Sequence, residues 1–168
     1  MDNFKDWLNK IIEADKLCSQ YIDKVQVARN KKQIADIGLD ANGASYLCKM
    51  KSLGYELPYE VIKKEFAPFI NGRYIAKLAS ENGGEYSSAT YCEFDEKAVI
   101  INATITTFLG CSLKVYIPEY SYSQLYVDGG SKITIHCPKN AHCMVDFWEG
   151  AEVTISEDSE GEVKLKKR

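Results

Sequence analysis

The sequence predicts an α+β fold: an N-terminal helical region of about three helices, residues 1–71, then a β region, residues 72–168, ending in three 20-residue repeats. Three observations carry this. Apolar residues recur at steps of three and four through the first part of the chain. The period shortens to two after Asn71-Gly72. In the last third, Gly110, Gly130 and Gly150 each precede a short alternating stretch whose apolar positions coincide. Leu113, Ile133 and Val153 lie 20 residues apart, as do Val115, Ile135 and Ile155, and a second stripe runs through Leu125, Val145 and Leu165. A fixed period of this length marks stacked supersecondary units that bury a core only together.

The first helix is expected from Asp2 to about Gln33, a stretch without Gly or Pro. Its seam is Phe4, Trp7, Ile11, Ala14, Cys18, Tyr21, Val25 and Ala28, with Leu8, Ile12, Leu17 and Ile22 widening the stripe beyond that of a two-stranded coiled coil. Such a face packs on other helices, and Phe4, Trp7, Ile11 and Tyr21 are candidates for contact with a partner or a second copy. Gly38 to Gly43 has turn chemistry, and Ala44 to Leu53 resumes the helix, with Gly54 as its stop. Pro58 opens a third helix whose apolar face is Val61, Ile62, Phe66 and Phe69.

Beyond Asn71-Gly72, Tyr74, Ala76 and Leu78 alternate as in a strand. Glu81 to Gly84 reads as a hairpin loop, Tyr86 to Phe94 as a returning strand, and Ala98 to Phe108 as a β-branched stretch leading into the repeats. Ile105, 20 residues before Leu125, marks this lead-in as a cap and not a full repeat. Each repeat holds two strands, with Lys114, Thr134 and Thr154 aligned on the outer face beside Tyr116, His136 and Ser156. A β-solenoid and an antiparallel meander both satisfy the pattern. The conserved spacing favours the solenoid, because a meander tolerates unequal loops.

The charge balance narrows the function classes. A net charge of −3 gives no global attraction to nucleic acid or an anionic membrane, and the basic ending Lys164, Lys166, Lys167, Arg168 is too short to reverse it. No apolar run approaches the ~18 residues of a membrane span. The start, MDNFKDWLNK, lacks the layout of a secretory signal, so synthesis in the cytoplasm is expected. Six cysteines spread over such a chain read as reduced, mostly buried thiols.

One cluster has metal or nucleophile chemistry: His136-Cys137 and His142-Cys143, four N/S ligands of the kind zinc takes, or a cysteine with a histidine base for a hydrolase. Strand alternation argues against both uses, since it turns Cys137 and Cys143 inward with Ile135 and Val145 while His136 points out. No catalytic residue, metal ligand or cofactor is therefore assigned. Tyr116, Tyr120, Tyr122 and Tyr126, with Trp148, are candidates for an aromatic outer surface suited to protein or glycan contacts.

The runs LPYEVIKKEFAPFINGRYIA, TTFLGCS and CPKNAHCMVDFWEGA resemble small proteins encoded in bacteriophage and prophage regions of gut Bacteroidales. The resemblance implies a phage-linked setting, in which chains of this type serve as virion components or host-interaction factors; it carries over no mechanism and no site residues. The expectation is a non-enzymatic structural or protein-interaction component, oligomeric through its helical seam or the end of the β-stack.

Overall fold

A computed structural model describes residues 19–39, 41–49, 73–79, 85–94 and 96–168. Three helices come first: α1 (Ser19–Val27), α2 (Lys31–Gly38) and α3 (Ala41–Lys49). Where one helix to Gln33 is expected, the chain breaks after Val27. Asn30 is extended there, with φ −149° and ψ 165°. Its Oδ1 accepts the Gln33 N–H at 2.9 Å, while Gln33 Oε1 accepts the Arg29 N–H at 2.7 Å. This reciprocal cap starts a new helix and outweighs the continuous apolar stripe.

The expected turn at Gly38 to Gly43 also contracts: α3 begins at Ala41, and Asn42-Gly43 are helical. Gly43 is needed for proximity. A Cβ there would lie 2.3 Å from the Ile37 carbonyl and 2.8 Å from the Gly38 backbone, so the glycine lets α2 and α3 approach closely. Phe4, Trp7 and Ile11, with Ala14 and Cys18 of the same seam, lie outside the described residues, as does the expected helix from Pro58. Tyr21 falls within α1.

The strands are β1 (Arg73–Ala79), β2 (Glu85–Cys92), β3 (Ala98–Ile100), β4 (Ile105–Leu109), β5 (Ser112–Tyr116), β6 (Tyr122–Val127), β7 (Lys132–His136), β8 (His142–Phe147), β9 (Glu152–Ile155) and β10 (Glu162–Lys167). They form two sheets, a six-stranded one ordered β1-β2-β4-β6-β8-β10 and a four-stranded one ordered β3-β5-β7-β9. β1 and β2 form an antiparallel hairpin. Every later pairing is parallel, from β2 on β4 through β8 on β10 and from β3 on β5 through β7 on β9. Alternating strands between two parallel sheets make a β-solenoid, because a meander would pair its neighbours antiparallel.

The register follows the repeat. Leu113 pairs with Ile133 and Ile133 with Val153; Val115 with Ile135 and Ile135 with Ile155; Leu125 with Val145 and Val145 with Leu165. Lys114, Thr134 and Thr154 form the expected outer column. The first coil departs from the spacing. Thr106, and not Ile105, lies beside Leu125, and Ala98 pairs with Lys114, so this coil is shorter than the 20 residues that follow.

Leu113, Val115, Ile117, Leu125, Val127, Ile133, Ile135 and Val145 form the interior, closed toward β2 by Phe108 stacked on Tyr91 at 5.4 Å. Each such side chain contributes about 1.5–3 kcal/mol on burial. The helices cover the outside of the six-stranded sheet, α3 packing on β2, β4 and β6. Thr90 Oγ1 donates to the Leu39 carbonyl at 2.8 Å, and Thr107 and Leu109 are buried on that side. These strands are thus buried on both faces, as parallel sheets usually are.

Polar side chains join successive corners. Asp128 Oδ1 accepts the Gly110 N–H at 3.0 Å, and Ser131 Oγ accepts the Cys111 N–H at 3.0 Å while donating to Asp128 Oδ1. At the other corner of the stack, between β7 and β8, Ser159 Oγ accepts the Cys137 N–H at 3.1 Å. Gly161 sits against the corner below it, where a Cβ would lie 2.3 Å from the Pro138 carbonyl and 2.6 Å from Cys137 Sγ. Gly161→Ala should lower unfolding free energy by about 1–3 kcal/mol in a denaturant titration. Lys139→Ala on the exposed turn below should stay within about 0.5 kcal/mol. Equal effects would contradict this account of the corner.

Candidate functional site

The last coil occupies the same inward positions as the others, and among the described residues no coil lies above it. Val115, Ile135, Leu125 and Val145 are fully buried, whereas Ile155 is 40% and Leu165 45% exposed. Val153 and Val163 are half-buried. Strand pairing turns these four side chains toward the interior, and the open end of the stack exposes them to solvent.

Ion pairs fasten this coil to the one below. Lys132 Nζ lies 2.7 Å from Glu152, His142 Nδ1 2.9 Å from Glu162, and His136 Nδ1 3.1 Å from Asp158. Lys164, then His142, hold the Glu162 carboxyl below its ordinary range; Ser156, then His136, do the same for Asp158. The Lys132–Glu152 and His142–Glu162 contacts are solvent-exposed, a type that contributes about 0–1 kcal/mol, whereas His136 is half-buried. Arg168 differs: its Nε lies 2.7 Å from Oδ1 of the buried Asp146, and its N–H donates to the Phe147 carbonyl at 2.8 Å. The basic ending is therefore built into the fold. Lys132 with Glu152, opposite charges, and His142 with Glu162, an imidazole and a carboxylate, lie 20 residues apart, the signal in the repeat that would have located these pairs.

The aromatic candidates divide between surfaces. Tyr116 is on β5 in the four-stranded sheet, its ring 5.5 Å from that of His136. Tyr122 and Tyr126 are on β6 in the six-stranded sheet. Tyr120, 80% exposed, sits at the corner between them with φ 58°. Trp148 is buried, edge-on to Tyr126 at 6.1 Å. Beside Tyr116, a shallow groove of about 310 Å³ crosses the four-stranded sheet, lined in part by Lys97, Lys114, Lys132, Thr134, Glu152 and Thr154.

The cysteines and histidines do not converge. Cys137 and Cys143 are buried in the core, while His136 and His142 face outward against their carboxylates. Among the described residues no three His, Cys, Asp or Glu side chains gather around a metal-sized site. Cys48, Cys92, Cys111, Cys137 and Cys143 are buried and in no disulfide; Cys18 lies outside the described residues. Burial, reinforced by Cys137, pushes the Cys143 thiol up to about 12; burial also raises Cys111 to about 11. Burial raises Cys137 as well.

No protein-family model, curated protein or solved structure matches the chain. Among the described residues no helix is long and apolar enough to cross a membrane.

The thiolate is the reactive form. Alkylation at pH 8, read by mass spectrometry, should modify Cys111, Cys137 and Cys143 at least ~100-fold more slowly in the folded protein than in denaturant. Rapid labelling of Cys137 or Cys143 in the folded state would reopen the nucleophile.

Proposed function

We propose that this chain is a non-enzymatic structural or protein-interaction component, virion-associated in a phage setting, that works by presenting the open end of its β-stack to another protein subunit. The observation that supports this is the contrast within each apolar column: fully buried in the middle coils, 40% and 45% exposed at Ile155 and Leu165. Exposed core-type side chains beside two unpaired strand edges form a ready template for association.

In light scattering across a concentration series, the intact chain should associate. Ile155→Lys with Leu165→Lys should weaken that association at least ~10-fold while leaving circular dichroism unchanged, because neither side chain is buried within the chain. Association unaffected by both substitutions would remove the open end from the reading.

A second reading, a glycan- or protein-binding module, is favoured by Tyr120, which holds a left-handed φ of 58° while 80% exposed. A bulky residue kept in that conformation costs of order 1–3 kcal/mol, and such strain clusters at ligand sites. Tyr116 and His136 beside the lysine-lined groove suit a carboxylated sugar, which takes an aromatic platform and cations. Tyr116→Ala with Tyr120→Gly should reduce binding to acidic glycans at least ~10-fold on an array; unchanged binding would exclude this face.

A further inference from the structure

We infer that the open end binds a second copy of this chain, end to end about a two-fold axis, with β9 pairing antiparallel to the partner's β9 and β10 to the partner's β10. The inference rests on the reading of that end as a docking surface and names its occupant.

Shape selects this arrangement over a head-to-tail stack. At the open end both sheets finish in the same coil, with β9 and β10 as their last strands. At the other end, among the described residues, the six-stranded sheet runs on through β2 and β1 while the four-stranded sheet stops at β3. Two extra strands make a step of about 10 Å. A level end set on a stepped one leaves one sheet without a partner. Two level ends meet across both sheets, and like surfaces facing each other require a two-fold.

The backbone is already turned for it. Glu152 and Ser156 donate their N–H groups to the Ser131 and Ile135 carbonyls, at 3.0 and 2.8 Å. Glu162 and Arg168 donate to the Ala141 and Phe147 carbonyls, at 3.2 and 2.8 Å. The even-numbered residues of both strands thus bond into the stack. Val153, Ile155, Val163 and Leu165 direct their N–H and C=O groups to the open edge, because alternate residues of a strand bond to opposite sides.

One register uses all of them. With the axis at Lys164, Val163 lies opposite the partner's Leu165 as a hydrogen-bonded pair exchanging two N–H···O=C bonds, and Glu162 lies opposite the partner's Lys166. With the same axis at Thr154, Val153 lies opposite the partner's Ile155, and Thr154 opposite the partner's Thr154. The apolar pairs close the interior that Ile155 and Leu165 leave open, and the outward pairs are Thr–Thr and Glu–Lys, both favourable cross-strand neighbours. The opposed Lys164 residues are the one unfavourable pair, moderated by Glu162, 3.0 Å from Lys164 in the same strand.

Thr154 and Lys164 then face their own symmetry mates at non-hydrogen-bonded positions, where Cβ atoms lie about 4.5–5.5 Å apart, close enough for a disulfide after a small adjustment. Lys164→Cys and Thr154→Cys, made separately in the full chain and mildly oxidised, should each yield a covalent dimer on a non-reducing gel. Yield should exceed that of the wild type, which sets the background of the native thiols, and of Lys139→Cys on an exposed corner, by at least ~10-fold. Circular dichroism before oxidation checks that each variant folds. Association abolished by Ile155→Lys and Leu165→Lys but without cross-linking at 154 or 164 would overturn the two-fold register and leave the docking end standing. A wild-type chain that remains monomeric at every concentration would overturn the second copy as occupant.

Discussion

A coil of this chain has no interior until another coil lies on it. Leu113 and Val115 point into a space that becomes dry only because Ile133 and Ile135 occupy the same position one coil later. Parallel pairing at constant register is therefore the constraint on which the rest depends. A slip of one residue would turn each apolar column outward. The corners enforce the same register with polar groups: Asp128 and Ser131 accept the Gly110 and Cys111 N–H groups of the preceding corner, which would otherwise be buried without partners.

The stack was legible because its period is a property of the side chains alone. Glycines and apolar pairs at 20-residue spacing predicted the alignment of Leu125 with Val145 and Leu165, and alternation predicted that Cys137 and Cys143 turn inward. Parallel pairing was legible only through the constant spacing, which favoured the solenoid, since alternation is common to both pairings. Ile105 misled for a related reason. The first coil is shorter, so a match at the spacing of the later coils puts the wrong residue beside Leu125. In the helices, periodicity concealed a boundary that capping determined. Asn30, whose Oδ1 accepts the Gln33 N–H, starts the second helix, whereas an uninterrupted stripe through Val25 and Ala28 argued for continuity.

Surface residues were less legible than core residues, because what they meet depends on corners and ends. Four tyrosines close in sequence appear as one patch until the turn at Tyr120 sends β5 and β6 into different sheets. Trp148 reads as an exposed aromatic and is instead packed against Tyr126. The basic ending was weighed for its charge alone, yet Arg168, like Glu152 and Glu162, meets a group on the coil below. Opposite charges one period apart are as informative in a solenoid as charges four apart in a helix.

Among the described residues the helices cover the early strands of the six-stranded sheet, which gives the stack a polarity in time as well as in space. Coils near β2 and β4 are held by an interior on one side and by α3 on the other, while the coil of β9 and β10 is held by one neighbour and a few surface ion pairs. In a quasi-one-dimensional array, stability is the sum of such neighbour terms, so opening begins where there is one fewer. Among the described residues the coil of β9 and β10, at the open end, has another coil on one side only. Whatever settles on that end closes the last coil by occupying it, so ordering of the coil and occupancy of the surface rise together.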